Sequence, residues 1–448
     1  MVSCGSLLVI PVLMSPSDSA RTGLLQPGVR RREVAAWAAY DFANSGYVTV
    51  VITAVFNAYF VGVVASKADW ATFAWTLALA ISNLSVTILM PALGAWADRH
   101  AAKKKLLALS TAGCIAGTAG LYFCGAGDIA LAMALVALSN FCYAVGEAVA
   151  AAFLPELAKP AALGQISGWA WGFGFFGGML SLGLGLAWVL TAPSRGETGA
   201  QAVPVTMLIV AGLFALASLP TFVLLRERSA ARTVGEAHPF RQVRATLARA
   251  RSFPDFWRLL ACGTAYFAGI SVVIALSAIY AEQAMGFTQQ QTMMLIFLVN
   301  IAAAIGAFAF GHLQDRIGHK RALSITLWGW LVMGLMAAFA QGPAMFWVAA
   351  VIAGLCMGSS QSCGRALAAY MIPPGQLAEF FGLWTLATRL SAVIGPLVYG
   401  AITWMTQGNH RVAILVTGVS FVLGLWLLRG IDVERGHARA RSADLLNS

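Results

Sequence analysis

Four ionisable side chains lie inside long apolar runs of the sequence: Asp41, Glu147, Arg365 and Arg389. A charged side chain at the centre of a membrane-spanning helix costs about 2.5–3.5 kcal/mol on insertion scales, so such residues need a compensating role. A desolvated carboxylate can exchange a proton near neutral pH, and arginine binds carboxylates through paired hydrogen bonds. These residues are therefore candidates for binding a polar solute or a proton.

The two acidic residues each have two interpretations. Asp41 shares one helix face with Asn44 and Ser45, because the three are spaced i, i+3, i+4. It is a candidate for binding a substrate amine or a coupling proton, and the alternative is an interhelical hydrogen bond. Glu147 lies deeper in its run. It is a candidate for proton or substrate handling, with a salt bridge to a residue such as Arg365 as the alternative.

The two arginines also have two interpretations each. Arg365 follows Gln361 by about one helical turn and is the strongest candidate for binding a substrate carboxylate. The competing interpretation is structural pairing with an acid. Arg389 joins the candidates for substrate or proton handling, although a structural or gating role is favoured for it.

The elements that carry these residues follow from composition. The chain has 448 residues, of which 59% are hydrophobic and 10% charged, whereas soluble domains carry roughly 25% charged residues. This excludes a soluble enzyme and a disordered chain, and the long unbroken runs do not fit a β-barrel. The sequence predicts an all-α membrane protein with twelve transmembrane helices, at 34–64, 71–95, 105–125, 128–155, 163–190, 203–225, 256–284, 289–313, 321–341, 344–371, 379–404 and 411–429.

The net charge of the chain is +11, and its basic residues are distributed unevenly between the two sides of the predicted membrane. Lys and Arg gather before the first span, in alternate loops and after the last span, which predicts that both termini are cytoplasmic. A membrane thus explains the basic excess, and no nucleic-acid partner is expected. The predicted organisation is a cytoplasmic tail (1–33), a six-helix bundle (34–225), a cytoplasmic linker (226–255) with a basic amphipathic helix around Phe240–Ala250, a second bundle (256–429) and a cytoplasmic tail (430–448).

Sites for other chemistry are not predicted. The seven cysteines are scattered without CxxC spacing and the six histidines form no cluster, so neither a metal nor a cofactor is expected. There is no nucleophile elbow and no ATP-binding loop, so the chain is not expected to be an enzyme or directly ATP-driven.

A short pattern occurs twice. Gly94, Asp98 and Arg99 follow the second predicted span, and Gly311, Asp315 and Arg316 follow the eighth, 217 residues later. Two related six-helix halves are a transporter architecture, with the substrate site near the bilayer midplane between them.

The repeated loop resembles the signature loop of the major facilitator superfamily. That resemblance implies two pseudo-symmetric six-helix bundles, with Gly94, Asp98, Arg99, Gly311, Asp315 and Arg316 forming gating latches. A narrower resemblance, to the vacuole-effluxer-like branch that includes autophagy-related amino-acid permeases, rests on Trp37-Ala-Ala-Tyr40-Asp41-Phe42-Ala43-Asn44-Ser45, Phe153-Leu-Pro155-Glu156, Gly164-Gln-Ile-Ser167-Gly168, and Ala378-Glu379-Phe380-Phe381-Gly382. The chain departs from that branch at Phe267-Ala268-Gly269, where an acidic Asp-Gly is common.

Four glycines of the fifth span form two small-xxx-small pairs: Gly168 with Gly172, and Gly174 with Gly178. In this superfamily the fifth span lies between the halves, so these glycines are expected to provide close interface packing. The flanking aromatic residues Trp169, Trp171 and Phe173 are expected to face lipid or core.

The sequence therefore predicts a monomeric secondary active transporter in a bacterial-type inner membrane. It would move a small polar solute, with an amino acid favoured, by rocker-switch alternating access coupled to a proton or other ion gradient. The alternatives are an exporter of drugs or other organic solutes and a non-transporting sensor on the same fold.

Overall fold

In the computed structural model, described over residues 23–66, 68, 70–228 and 246–445, twelve helices are long and apolar enough to cross a membrane. The predicted all-α architecture with twelve spans is thereby confirmed. In chain order the helices are α1 (Arg31–Val64), α2 (Ala71–Arg99), α3 (Lys103–Gly120), α4 (Ile129–Ala151), α5 (Leu163–Leu190), α6 (Gly199–Leu224), α7 (Pro254–Met285), α8 (Gln289–Ile317), α9 (His319–Phe339), α10 (Pro343–Met371), α11 (Leu377–Met405) and α12 (His410–Arg429), followed by α13 (Val433–Leu445).

Helices α1–α6 pack into one half and α7–α12 into the other. The halves meet along two seams, one where α5 packs against α8 and one where α2 packs against α11. Because the number of spans is even, the residues before α1 and after α12 emerge at the same end of the molecule, which we term the terminal end. The other end is termed the opposite end.

Helix α1 changes its winding near its middle. It is α-helical over Arg31–Tyr47 and then contains π-helical turns at Val48–Ala54 and Phe60–Val64. The first of these turns consists almost wholly of β-branched residues, which lose side-chain freedom in an α-helix. π-Helical turns are rare and occur frequently at functional sites. Several residues of this turn face the space between the halves.

Glycine lets the halves approach closely at the terminal end. A Cβ added to Gly168 of α5 would lie 2.9 Å from the Cα of Gly311 on α8, and one added to Gly94 of α2 would lie 2.6 Å from the backbone carbon of Ala378. Gly172 also faces α8, where a Cβ would lie 2.5 Å from the ring of Phe308. Larger residues at these positions would push the two halves apart.

Of the four glycines of α5 that were expected at the interface, Gly174 and Gly178 do not face the second half. A Cβ on Gly174 would lie 2.9 Å from Ser45 Oγ, and one on Gly178 would lie 2.7 Å from Thr49 Oγ1, both on α1. The offset of 6 residues between Gly168 and Gly174 rotates them to different faces of a 3.6-residue helix. The two glycine pairs of α5 thus contact two different helices, α8 and α1.

The segments outside the spans are only partly described. Most of the predicted amphipathic helix of the linker lies outside the described residues; in residues 246–251, which are helical, Thr246 and Arg249 donate hydrogen bonds to Glu379 at the start of α11. The C-terminal segment, predicted only as a tail, contains α13. That helix is held by a hydrogen-bonded ion pair of 2.6 Å between Arg435 and Asp255.

Candidate functional site

A cavity of about 1000 Å³ lies between the two halves. It extends from the middle of the spans towards the opposite end, where Val63, Val189 and Thr292 line it. Most lining side chains are apolar, and the charged ones lie together at the deep end. All six predicted substrate or proton candidates line the cavity: Asp41, Asn44, Glu147, Gln361, Arg365 and Arg389.

Arg365 of α10 connects the halves at the floor of the cavity. Its side chain is 8% exposed, and its Nη1 donates a 2.6 Å hydrogen bond to Oδ2 of Asp41 on α1. Its Nε donates to Oγ of Ser167 on α5 and its Nη2 to the carbonyl oxygen of the same residue, each at 3.0 Å. Three donors of one guanidinium therefore bind two helices of the other half.

Two tryptophans surround the same guanidinium. Its central carbon lies 5.0 Å from the centre of the Trp37 ring and 5.3 Å from that of Trp171. The Trp37 ring is fixed by a 2.7 Å hydrogen bond from its Nε1 to the carbonyl of Ala150. Aromatic faces attract a desolvated cation, which offsets part of the cost of burying Arg365. Trp171, expected to face lipid or core, instead lines the cavity.

Glu147 of α4 forms the second ion pair between the halves. Arg389 of α11 donates a 2.9 Å hydrogen bond from Nη2 to Oε2 of Glu147, and its guanidinium lies 5.3 Å from the Tyr143 ring centre. The pairing of Glu147 with Arg365 that the sequence left open is not formed. The reason is geometric: α4 faces α11, whereas α1 and α5 are the helices that bind Arg365.

The two pairs differ in exposure and in hydrogen-bond saturation. The Glu147 side chain is 36% exposed and that of Asp41 is 14% exposed. Within the described residues, Nε of Arg389, Nε1 of Trp171 and Oδ1 of Asn44 line the cavity region and are buried without a hydrogen-bond partner. Buried polar atoms are normally paired, so unpaired ones at a cavity are available to a bound molecule or water. The site thus presents two open donors, on Arg389 and Trp171, and one open acceptor on Asn44.

Sequence reasoning missed part of this arrangement. Ser167 and Tyr143 contact the two arginines but carry no charge, so the search for buried ionisable groups passed over them. Ser167 did stand within the Gly164-Gln-Ile-Ser167-Gly168 stretch on which the family resemblance rests.

The terminal end is closed by two related contacts between the halves. Asp98 at the end of α2 accepts hydrogen bonds from the backbone N–H groups of Ala378 (3.1 Å) and Glu379 (2.9 Å) at the start of α11. A carboxylate in this position satisfies free helix amides and opposes the positive end of the helix dipole. Gly94, one turn before Asp98, provides the close approach.

The second contact is equivalent to the first. Asp315 of α8 accepts hydrogen bonds from the N–H groups of Gly164 (2.9 Å) and Gln165 (2.8 Å) at the start of α5. Its partners precede Ala378 and Glu379 by 214 residues, close to the spacing of the repeat. The basic members behave differently, because Arg99 donates to the carbonyl of Ala95 on its own helix and Arg316 is exposed.

Known proteins resemble this chain in sequence over most of its length. The family model described as "Vacuole effluxer Atg22 like" matches residues 57–441. The MFS-type transporter YxiO of Bacillus subtilis is 24% identical over 89% of this chain and 94% of its own length. Autophagy-related protein 22-1 of Aspergillus niger is 27% identical over 46% of this chain, but the match spans only 36% of the fungal protein.

Solved structures share the architecture at low sequence identity. The human organic anion transporter MFSD10 is 16% identical, with a TM-score of 0.73 over 90% of this chain and 100% of that one. The Escherichia coli fucose:proton symporter FucP is 15% identical, with a TM-score of 0.70 over 90% and 98%. At such identities the likeness establishes the fold and leaves the substrate open.

Proposed function

The chain belongs to the Atg22-like vacuole effluxer family of major facilitator transporters, and from that premise we propose a secondary active transporter that moves a small polar solute by rocker-switch alternating access. An amino acid or related metabolite is the favoured class, and a proton is the favoured coupling ion. The observation that carries the proposal is the pair of Arg–carboxylate contacts between the halves at the floor of the cavity.

The polar groups of the cavity suit a zwitterion. Ligand sites are commonly apolar pockets with a few convergent polar groups that fix orientation. Because three donors of Arg365 are already engaged, Arg389 is the better donor for a substrate carboxylate in this conformation. Asn44 Oδ1 supplies an acceptor for an ammonium or hydroxyl group. Gln361, one turn from Arg365, supplies a further polar side chain.

Glu147 is the better candidate for the coupling proton. Its carboxylate is more exposed than that of Asp41, and it accepts a hydrogen bond from Arg389 across the cavity. Protonation would neutralise Glu147, weaken its attraction for Arg389 and release one contact between the halves. Asp41, which binds Arg365 together with Ser167, is the less exposed of the two carboxylates and acts as a conformational clamp.

The terminal end is proposed to face the cytoplasm, because it carries most of the Lys and Arg residues of the loops. The cavity then opens outwards, and Asp98 and Asp315 are latches that must release for it to open inwards. Residues 34–225 and 256–429 would move as the two halves and 226–255 would link them. Residues 1–33 and 430–448 would be cytoplasmic, in a bacterial-type inner membrane.

Solute exchange in proteoliposomes tests the transport activity without assuming a coupling ion. Vesicles containing the purified full chain are loaded with one unlabelled solute, and entry of the same radiolabelled solute is measured across a panel of amino acids, peptides and sugars. Saturable exchange of one class, lost in Arg389→Ala but retained in Arg439→Ala at an exposed position of α13, supports the proposal. No exchange of any solute by folded protein would overturn it.

A second candidate, export of drugs or other organic solutes, is favoured by the size and the largely apolar wall of the cavity. The same vesicles measure it when lipophilic cations and organic anions are added to the panel. Exchange of these compounds alone would select this second function.

A further inference from the structure

One helix of the first half has its N-terminus occupied by an internal carboxylate. The carboxylate of Glu227, just after α6, accepts hydrogen bonds from the backbone N–H groups of Lys103 (2.8 Å) and Lys104 (3.1 Å) at the start of α3. The ammonium of Lys104 donates to the carbonyl of Leu225 nearby. The free amides and the positive dipole end of α3 are thus matched by a negative group.

The equivalent position in the second half is the start of α9. Lys320 and Arg321 follow Lys103 and Lys104 by 217 residues, the spacing of the repeat. Lys320 Nζ donates to the carbonyls of Arg429, the last residue of α12, and of Ile431, much as Lys104 Nζ donates to the carbonyl of Leu225 after α6. Within the described residues, however, no carboxylate accepts from the backbone amides of Lys320 or Arg321. Asp432, which follows α12, instead accepts from the N–H of Arg435 in α13.

A pocket of about 940 Å³ lies next to the start of α9, at the terminal end of the molecule. Its wall includes one histidine and five cationic residues: His319, Arg258, Lys320, Arg321, Arg429 and Arg435. Among the described residues, the side chains of Arg321 and Arg429 have no ion pair. The three acidic lining residues are engaged: Asp315 with the start of α5, Asp432 with Arg435 N–H, and Glu434 with the Tyr370 hydroxyl.

Two buried side chains of the pocket wall have unpaired polar atoms. His319, the first residue of α9, is 9% exposed, and its Nδ1 has no hydrogen-bond partner among the described residues. Gln314 is fully buried, and its Oε1 is likewise unpaired there. A histidine nitrogen and an amide oxygen suit a group that carries both acceptor oxygens and a hydroxyl. Such orphan atoms are uncommon inside proteins, so these two atoms are available to a polar ligand.

We propose that this pocket binds a phosphate group. The N-terminus of α9 would bind the phosphate through its free backbone amides. Arg321 and Arg429 would supply charge-assisted hydrogen bonds to the phosphate oxygens. At the start of α9, the phosphate group would occupy the position that corresponds to that of the Glu227 carboxylate at the start of α3. The phosphate belongs either to a free phosphate compound or to an anionic phospholipid headgroup, since the pocket lies at the end of the spans.

The site would also affect the seam between the halves. Pro160 and Ala161, which precede α5 in the first half, line the same pocket as the Asp315 latch. A phosphate group bound there contacts both halves only while the terminal end is closed. Binding would therefore favour the closed terminal end, since a ligand shifts an equilibrium towards the state it binds better.

Thermal unfolding of the purified full chain in uncharged detergent tests the proposal independently of transport. The Tm is followed during titration with inorganic phosphate at constant ionic strength, with dioctanoyl phosphatidylglycerol, and with dioctanoyl phosphatidylcholine as the zwitterionic comparison. We expect a saturable rise in Tm. The double variant Arg321→Gln, Arg429→Gln should raise the half-saturating concentration at least about tenfold, because two charged contacts are lost.

The control variant is Lys105→Gln, Arg226→Gln, which removes the same charge from exposed positions at the terminal end of the first half. Its half-saturating concentration should equal that of the wild type. Phosphate-dependent stabilisation identifies a free phosphate ligand, and stabilisation by phosphatidylglycerol alone identifies a lipid headgroup. The proposal is overturned if neither ligand stabilises saturably, or if both double variants respond alike.

Discussion

At the scale of single residues, Arg365 and Arg389 solve the problem of charge in a membrane in different ways. Arg365 is almost fully enclosed, with a carboxylate, a hydroxyl, a carbonyl and two aromatic rings around it. Arg389 has one carboxylate partner, one ring and an unpaired Nε in the described structure. The arrangement around Arg365 favours holding the halves together, and the arrangement around Arg389 leaves a hydrogen-bond donor available to a solute.

Replacing Arg365 by Lys should impair transport although the charge is retained. Lysine is a point donor and cannot bind Asp41 and two atoms of Ser167 with the fixed fork of a guanidinium. Hydrogen bonds to charged groups contribute about 1.5–3 kcal/mol, so we expect the exchange rate to fall roughly tenfold or more. Initial rates in proteoliposomes measure this, with Arg439→Lys on α13 as control. Wild-type rate and affinity in Arg365→Lys would remove Arg365 from the mechanism.

The individual charges were predictable from the sequence, but their partners were not. Asp41, Glu147, Arg365 and Arg389 each stand out as an ionisable residue within an apolar run. Which acid meets which arginine depends on how α1, α4, α10 and α11 are arranged around the cavity, and hydropathy carries no information on that arrangement. The uncharged Ser167 gave no signal of this kind.

At the scale of helices, the α5–α8 seam depends on the absence of side chains. Gly168→Ala places a Cβ 2.9 Å from Gly311 Cα and should separate the two helices. Overpacking typically costs about 1–3 kcal/mol, so we expect a Tm lower by several degrees. Gly183→Ala on the same helix is the matched control, because nothing lies within 4 Å of its added Cβ. Equal Tm values for the two variants would show that the seam tolerates a methyl group.

The two aspartate latches should determine how often the terminal end opens. Asp98→Asn and Asp315→Asn each remove the charge and one acceptor from a helix N-terminus, where a carboxylate contributes about 0.3–2 kcal/mol. We expect the double variant to shift the population at least about fivefold towards an open terminal end. Spin labels at the exposed Lys105 of α3 and Arg321 of α9 report the separation of the halves. An unchanged distance distribution would contradict a latch role.

Helix-level features were partly accessible from sequence. The repeat identified Asp98 and Asp315 as a related pair, and both lie at equivalent contacts between the halves. The division of the α5 glycines between α8 and α1 was not anticipated, because small-xxx-small spacing identifies a packing face without identifying the neighbour. The helix α13 was also not predicted, because its charged sequence lacks the long apolar run that marks a span.

At the scale of the whole molecule, the fold closes at one end and encloses a cavity that reaches towards the other. The proposed orientation is testable in cells with single cysteines on exposed positions. A membrane-impermeant maleimide should label Gln407→Cys, between α11 and α12, in intact cells. Ser442→Cys, on α13, should react only after permeabilisation. The reverse pattern would invert the orientation and with it the direction in which the cavity opens.

The most direct test of the account is accumulation of the exchanged solute in proteoliposomes under an imposed pH gradient, compared between wild type and Glu147→Gln. Glutamine keeps the size of the side chain but cannot bind or release the coupling proton. We predict that the wild type accumulates the solute against its concentration gradient, whereas Glu147→Gln exchanges it without accumulation. Accumulation by Glu147→Gln equal to that of the wild type, or no gradient-driven accumulation by folded wild-type protein, would contradict the account.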